Sequence, residues 1–160
     1  MKTALKISTI LSWINIVIGG ILVIGGLMSM LVAPNASIML VSVVLTGAIV
    51  LHSYAALQLR KSIVHRDVPL SKQTPTGIRF IGFMALFFAI LNIGNAVVII
   101  QNAKEVLKQV ELPFKPEGVN MIAAIRAGGI FSLLFSVGIA VNVLLSTRLL
   151  RWYLASQQEQ

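Results

Sequence analysis

Four long apolar runs, 7–32, 38–59, 78–100 and 121–147, take up most of the chain, and most charged residues fall in the short stretches between and beyond them. A helix needs about 20 apolar residues to cross a hydrocarbon core of roughly 30 Å, and every run meets that length. Short and moderate links favour antiparallel neighbours. The expected fold is therefore all-α, a four-transmembrane-helix antiparallel bundle forming one integral membrane domain over 1–160. The first run exceeds the apolar core of a secretory signal, which is about 7–15 residues. No small-x-small cleavage site follows it in Leu31-Val32-Ala33-Pro34-Asn35-Ala36-Ser37, so it is read as a retained span.

Polar and small residues inside the runs recur at steps of three and four. Ser8, Ser12, Asn15, Gly19, Gly26 and Ser29 do so in the first span, and Ser42, Thr46 and Ser53 lie near one face of the second. Gly82, Ala85, Ala89, Asn92 and Ala96 form a stripe in the third, while Gly128, Gly129, Ser132, Ser136, Gly138, Ala140 and Asn142 supply small contacts in the fourth. Such stripes let helices approach closely, either within one bundle or at a homo-oligomer seam. Between spans, Pro34 and Asn35 predict a tight turn. After the third run, Val106, Leu107 and Val110 fall on one side and Lys104, Glu105, Lys108 and Glu111 largely elsewhere. That pattern predicts an amphipathic extension of the third helix, stopping before Pro113.

Composition agrees with a membrane chain. Only 11% of residues are charged and 57% are hydrophobic, against about a quarter charged in soluble domains. The net charge of +8 would suggest nucleic acid in a soluble protein, but the positive-inside rule explains it more simply, so no nucleic-acid partner is expected. Lys2, Lys6, Arg60, Lys61, Arg66, Lys72, Arg79, Arg148 and Arg151 fall on one side of the expected topology. Only Lys104, Lys108 and Lys115 fall on the other, where Glu105, Glu111 and Glu117 balance them. Both termini and the basic stretch 60–79 are accordingly expected in the cytoplasm. Trp13, Tyr54, Trp152 and Tyr153 lie toward that same face, as an aromatic belt would.

Candidate chemistry is sparse. The chain has no cysteine, which excludes disulfides, thiolate metal sites and cysteine nucleophiles. All the acids, Asp67, Glu105, Glu111, Glu117 and Glu159, lie outside the runs, which argues against a proton-driven pump acting alone. His52 lies within a span but has no carboxylate companion, and no Ser-His-acid set can be assembled around it. Met28, Met30, Met39 and Met121 map to the outer ends of spans without a Met-x-x-Met run. Gly19-Gly20 and Gly25-Gly26 follow no strand and are not a nucleotide loop. Asn35-Ala36-Ser37 matches a glycosylation sequon in a link too short to project from a bilayer. No enzyme activity, cofactor or metal is expected. The polar positions within the membrane are Asn15, His52, Asn92, Arg126 and Asn142. Arg126, about one turn inside the fourth span, suits snorkelling, a loop glutamate, or an anion or headgroup.

Leu59-Arg60-Lys61-Ser62-Ile63, Val68-Pro69-Leu70-Ser71, Thr74-Pro75 and Gly77-Ile78-Arg79-Phe80-Ile81-Gly82 together resemble the middle of a bacterial family of small four-span membrane proteins of unknown function. The resemblance implies a bacterial cytoplasmic membrane and no particular activity. Thr74 is placed to cap a helix beginning at Pro75. The expected function is that of a non-enzymatic accessory, regulatory or assembly protein. Arg60, Lys61, Arg66, Lys72 and Arg79 would form its surface for a membrane-protein partner or anionic lipid. The alternative is an oligomeric permease or channel for ions or small solutes, with Asn15, His52, Asn92 and Asn142 along its path.

Overall fold

The computed structural model describes residues 2–32, 36–65, 67–109, 118 and 120–158, with the side chains of 29–42 outside that description. Its helices are α1 (Lys2–Val32), α2 (Ala36–Val64), α3 (Thr74–Gln101), α4 (Ala103–Gln109) and α5 (Met121–Gln158). α1, α2, α3 and α5 are each long and apolar enough to cross a membrane, so the chain is an all-helical, multi-pass bundle. Helices suit a hydrocarbon core because they satisfy backbone N–H and C=O groups within each segment.

Several helices overrun the apolar runs that predict them, and they do so where Lys and Arg begin. α1 already starts at Lys2, α2 continues to Val64, and α5 carries Arg148, Arg151 and Trp152 on to Gln158. Hydropathy ends at the first charges, whereas Lys, Arg, Gln and Leu remain good helix formers. Arg60 and Lys61 therefore stand on the last turns of α2 and Arg79 on α3, leaving only 65–73 as a connection between helices. Backbone bonds shape that link: Val68 N–H donates to His65 O at 3.0 Å and Thr74 N–H to Ser71 O at 3.0 Å.

Two local expectations need correction. Thr74 is not the cap of α3 but its first residue; Gln73 holds the cap position without a side-chain bond, and Pro75 sits in the first turn. Proline tolerates that place because the N–H it lacks would have no helical acceptor. The third helix also does not continue into the polar stretch as one piece. Asn102 leaves helical geometry at φ −110° and ψ 33°, although its N–H still reaches Val98 O and Val106 N–H reaches Asn102 O. α4 thus follows α3 after a one-residue interruption. The expected turn at Pro34 and Asn35, the stop before Pro113 and the neutral stretch around Lys115 lie outside the described residues.

α1 and α3 each pack against α2 and α5, which also touch each other; α1 and α3 do not approach one another closely among the described residues. Glycines set the close approaches. A Cβ added at Gly19 would lie 2.9 Å from Val50 Cγ2, and one at Gly129 would lie 2.8 Å from Ile100 Cγ1. Two apolar clusters fill the interior. One joins Ile49, Ala85, Ala89, Phe135, Ile139 and Val143. The other joins Leu59, Ile78, Leu149 and Leu150 with Ala4 and Leu5 of α1, so that the starts of α1 and α3 meet the ends of α2 and α5. This second region is called the basic end below. Leu70 of the 65–73 link packs on the same cluster and tethers it, as does Tyr153, which the aromatic pattern had placed in an interfacial belt. Trp13, Tyr54 and Trp152 are exposed.

Candidate functional site

Between the two apolar clusters lies a layer of buried polar side chains centred on Asn142 of α5. Ser8 Oγ of α1 donates to Asn142 Oδ1 at 3.0 Å, and Ser12 Oγ lies 3.3 Å from Oδ1 and 3.2 Å from Nδ2. Asn142 Nδ2 also points to Ser53 Oγ of α2 at 3.5 Å. One amide thereby ties α5 to both α1 and α2. One turn along α5, Ser146 Oγ is 2.9 Å from His52 Nε2 and 2.6 Å from the Asn142 carbonyl. Ser8, Ser12, Ser53, His52, Asn142 and Ser146 are all at most 5% exposed. In lipid such groups have no water to turn to, which is why the chain supplies their partners from its own helices.

His52 reaches the fourth helix of the bundle through its ring. A Cβ at Gly82 of α3 would lie 2.9 Å from both Cε1 and Nδ1 of His52, so glycine is what allows the imidazole to enter. Nδ1 is buried without a hydrogen-bond partner among the described residues. Nε2 accepts from Ser146 only when the ring proton sits on Nδ1. The short contact from Ser146 to the Asn142 carbonyl competes for the same serine proton. Asn15, 1% exposed on α1, likewise leaves its Oδ1 without a partner.

A second polar contact sits across the first apolar cluster. Asn92 Nδ2 of α3 donates to Ser132 Oγ at 2.9 Å and Ser136 Oγ at 2.7 Å, both on α5, and Ser136 passes its own proton to the Ser132 carbonyl. Here α1 takes no part. Instead a cleft of about 750 Å³ separates Ile21, Leu22 and Gly25 of α1 from Phe88 and Asn92 of α3. Phe131 and Phe135 line it on α5 as a stacked pair with centroids 6.4 Å apart.

These positions therefore do not form one file. His52 and Asn142 share a layer, Asn92 lies in another, and Asn15 Oδ1 joins neither set of bonds. Arg126 is exposed on α5 and has no ion pair among the described residues; Glu111 and Glu117, the loop acids that could meet it, lie outside them. At the basic end Arg60, Lys61, Lys72, Arg79, Arg148 and Arg151 are exposed and unpaired among the described residues. Arg66 lies outside the description. No group of three or more His, Cys, Asp or Glu among the described residues could hold a metal. Nor does any carboxylate among the described residues bond His52 to orient it as a general base.

No protein-family model matches the chain, and no curated protein or solved structure does either. Ser146 is the member that the sequence pattern leaves unmarked, although its place one turn beyond Asn142 puts it on the same helical face. The reach from Asn142 back to Ser8 and Ser12, across most of the chain's length, carries no local signal.

Proposed function

We propose that this is a non-enzymatic multi-pass membrane protein of accessory, regulatory or assembly type, which acts through its basic end. In this reading the four long helices are antiparallel spans, both termini face the cytoplasm, and Arg60, Lys61, Arg66, Lys72 and Arg79 form a surface for a membrane-protein partner or anionic lipid. The positive-inside rule supports the orientation, because the cations gather where α1 and α3 begin and α2 and α5 end. The resemblance of 59–82 to a bacterial four-span family supports a bacterial cytoplasmic membrane as its setting.

One contrast carries the proposal. Asn142, Asn92 and His52 hold helices to each other through their serine partners, while the cations at the basic end are exposed and free of acidic partners among the described residues. Groups already hydrogen-bonded inside one bundle are poorly placed to pass a solute, and their division into separate layers disfavours the permease reading. Exposed Lys and Arg beside an anionic leaflet are each worth about 1 kcal/mol of attraction.

The test replaces Arg60, Lys61, Arg66 and Lys72 together by Gln. Affinity capture from native membranes and retention of phosphatidylglycerol by the purified protein should both fall relative to wild type. Capture and retention that match wild type would overturn the proposal.

A further inference from the structure

α3 and α5 leave a groove between them at the basic end, about 600 Å³ in volume. Its walls are two matched stripes. Arg79, Phe83 and Leu86 lie at helical spacing on α3, and Leu144, Arg148 and Arg151 do so on α5. The three guanidinium groups gather at the basic end, and the apolar side chains continue from them toward the middle of the bundle. From Arg79 to Leu86 the groove descends about 10 Å at roughly 1.5 Å per residue. Phe83 and Leu144 are 65% and 62% exposed, so this wall is open to the side where lipid chains would lie. Among the described residues, no acid lines it.

We propose that this groove is a binding site for an anionic phospholipid, whose phosphate is held by Arg79, Arg148 and Arg151 and whose acyl chain lies along Phe83, Leu86 and Leu144. The inference rests on the orientation proposed above, with the basic end at the cytoplasmic interface. Guanidinium groups match phosphate oxygens bidentately and are more weakly hydrated than ammonium groups, which suits a site at the edge of the hydrocarbon. Charge complementarity sets the selectivity. A zwitterionic headgroup would bring its own ammonium against three cations with no carboxylate to receive it, whereas a phosphatidylglycerol-type headgroup brings none. The apolar wall favours a lipid over free phosphate, because an inorganic anion would leave Phe83 and Leu144 uncovered.

The site is tested on the full chain, purified in mixed micelles holding equal phosphatidylglycerol and phosphatidylcholine, with retained lipid counted by native mass spectrometry. Wild type should retain phosphatidylglycerol in preference to phosphatidylcholine, and excess inorganic phosphate should not displace it. Replacing Arg79, Arg148 and Arg151 by Gln should weaken retention about fivefold for each guanidinium removed. Leu144→Trp, which fills the groove at an exposed position and keeps every charge, should weaken it as well. Replacing Arg60, Lys61 and Lys72 by Gln should lower the total phosphatidylglycerol retained through the broader surface but leave the lipid that responds to Leu144→Trp in place. Wild-type retention in the arginine variant, equal retention of the two lipids, displacement by phosphate, or indifference to Leu144→Trp would each overturn the site. A loss confined to the Arg60, Lys61 and Lys72 variant would overturn the groove and leave the broader basic surface standing. A loss confined to the groove variants would do the reverse.

Discussion

The two polar layers of the bundle use the same residue types and produce different surroundings. Near the basic end, Asn142 and His52 join α5 to α1 and α2, and the ring of His52 fills the space that Gly82 opens on α3. All four long helices meet there and nothing polar is left in the open. In the other layer Asn92 joins α3 to α5 alone, and the cleft of about 750 Å³ lies beside it. Without a hydrophobic effect to draw helices together in lipid, the bundle closes where small residues and cross-helix hydrogen bonds reach every neighbour. Where the bonds stop at one pair, a cleft stays open between α1 and α3.

The largest effect should come from wedging the closed layer. Gly82→Ala places a methyl 2.9 Å from the buried His52 ring, and overpacking of this kind costs about 1–3 kcal/mol. Thermal unfolding in nanodiscs measures it, and His52→Ala in the same chain should recover most of the loss. A loss unchanged by the second substitution would mean that the ring and the glycine do not share that space. Asn142→Leu comes next. It strands Ser8, Ser12 and Ser53 together, and at roughly 0.6 kcal/mol for each membrane hydrogen bond the loss should be about 2 kcal/mol.

Asn92→Leu should cost less, about 1 kcal/mol, because only α3 and α5 lose a contact and the cleft can take up the new side chain. A loss at Asn92 equal to that at Asn142 would erase the distinction between the layers. Smallest of all should be the stability change on replacing the exposed Arg60, Lys61 and Lys72 by Gln, within about 0.5 kcal/mol. That variant should alter binding and leave folding alone.

The apolar runs make the four spans legible, since a helix that must cross lipid writes its length directly into hydropathy. Helix ends are another matter. Arg60, Lys61 and Arg148 end an apolar run without ending a helix, because the backbone bond pattern is indifferent to charge. The break at Asn102 has no Pro or Gly to announce it. Three- and four-residue spacing does identify which face of a helix is small and polar, and Ser8, Ser12, Asn15 and Gly19 on that face of α1 are buried. It cannot name the partner across the bundle. Asn142 meeting Ser12, or Gly82 meeting His52, depends on how the helices are arranged, and each stripe on its own fits several neighbours equally well.

Everything proposed for the basic end depends on which side of the membrane it faces. The chain contains no cysteine, so single cysteines report position without background. Ser71→Cys lies in the 65–73 link and Lys108→Cys on the exposed side of α4. In intact bacterial cells a membrane-impermeant maleimide should label position 108 and should reach position 71 only after permeabilisation. Labelling of position 71 from outside, with position 108 protected, would contradict the account.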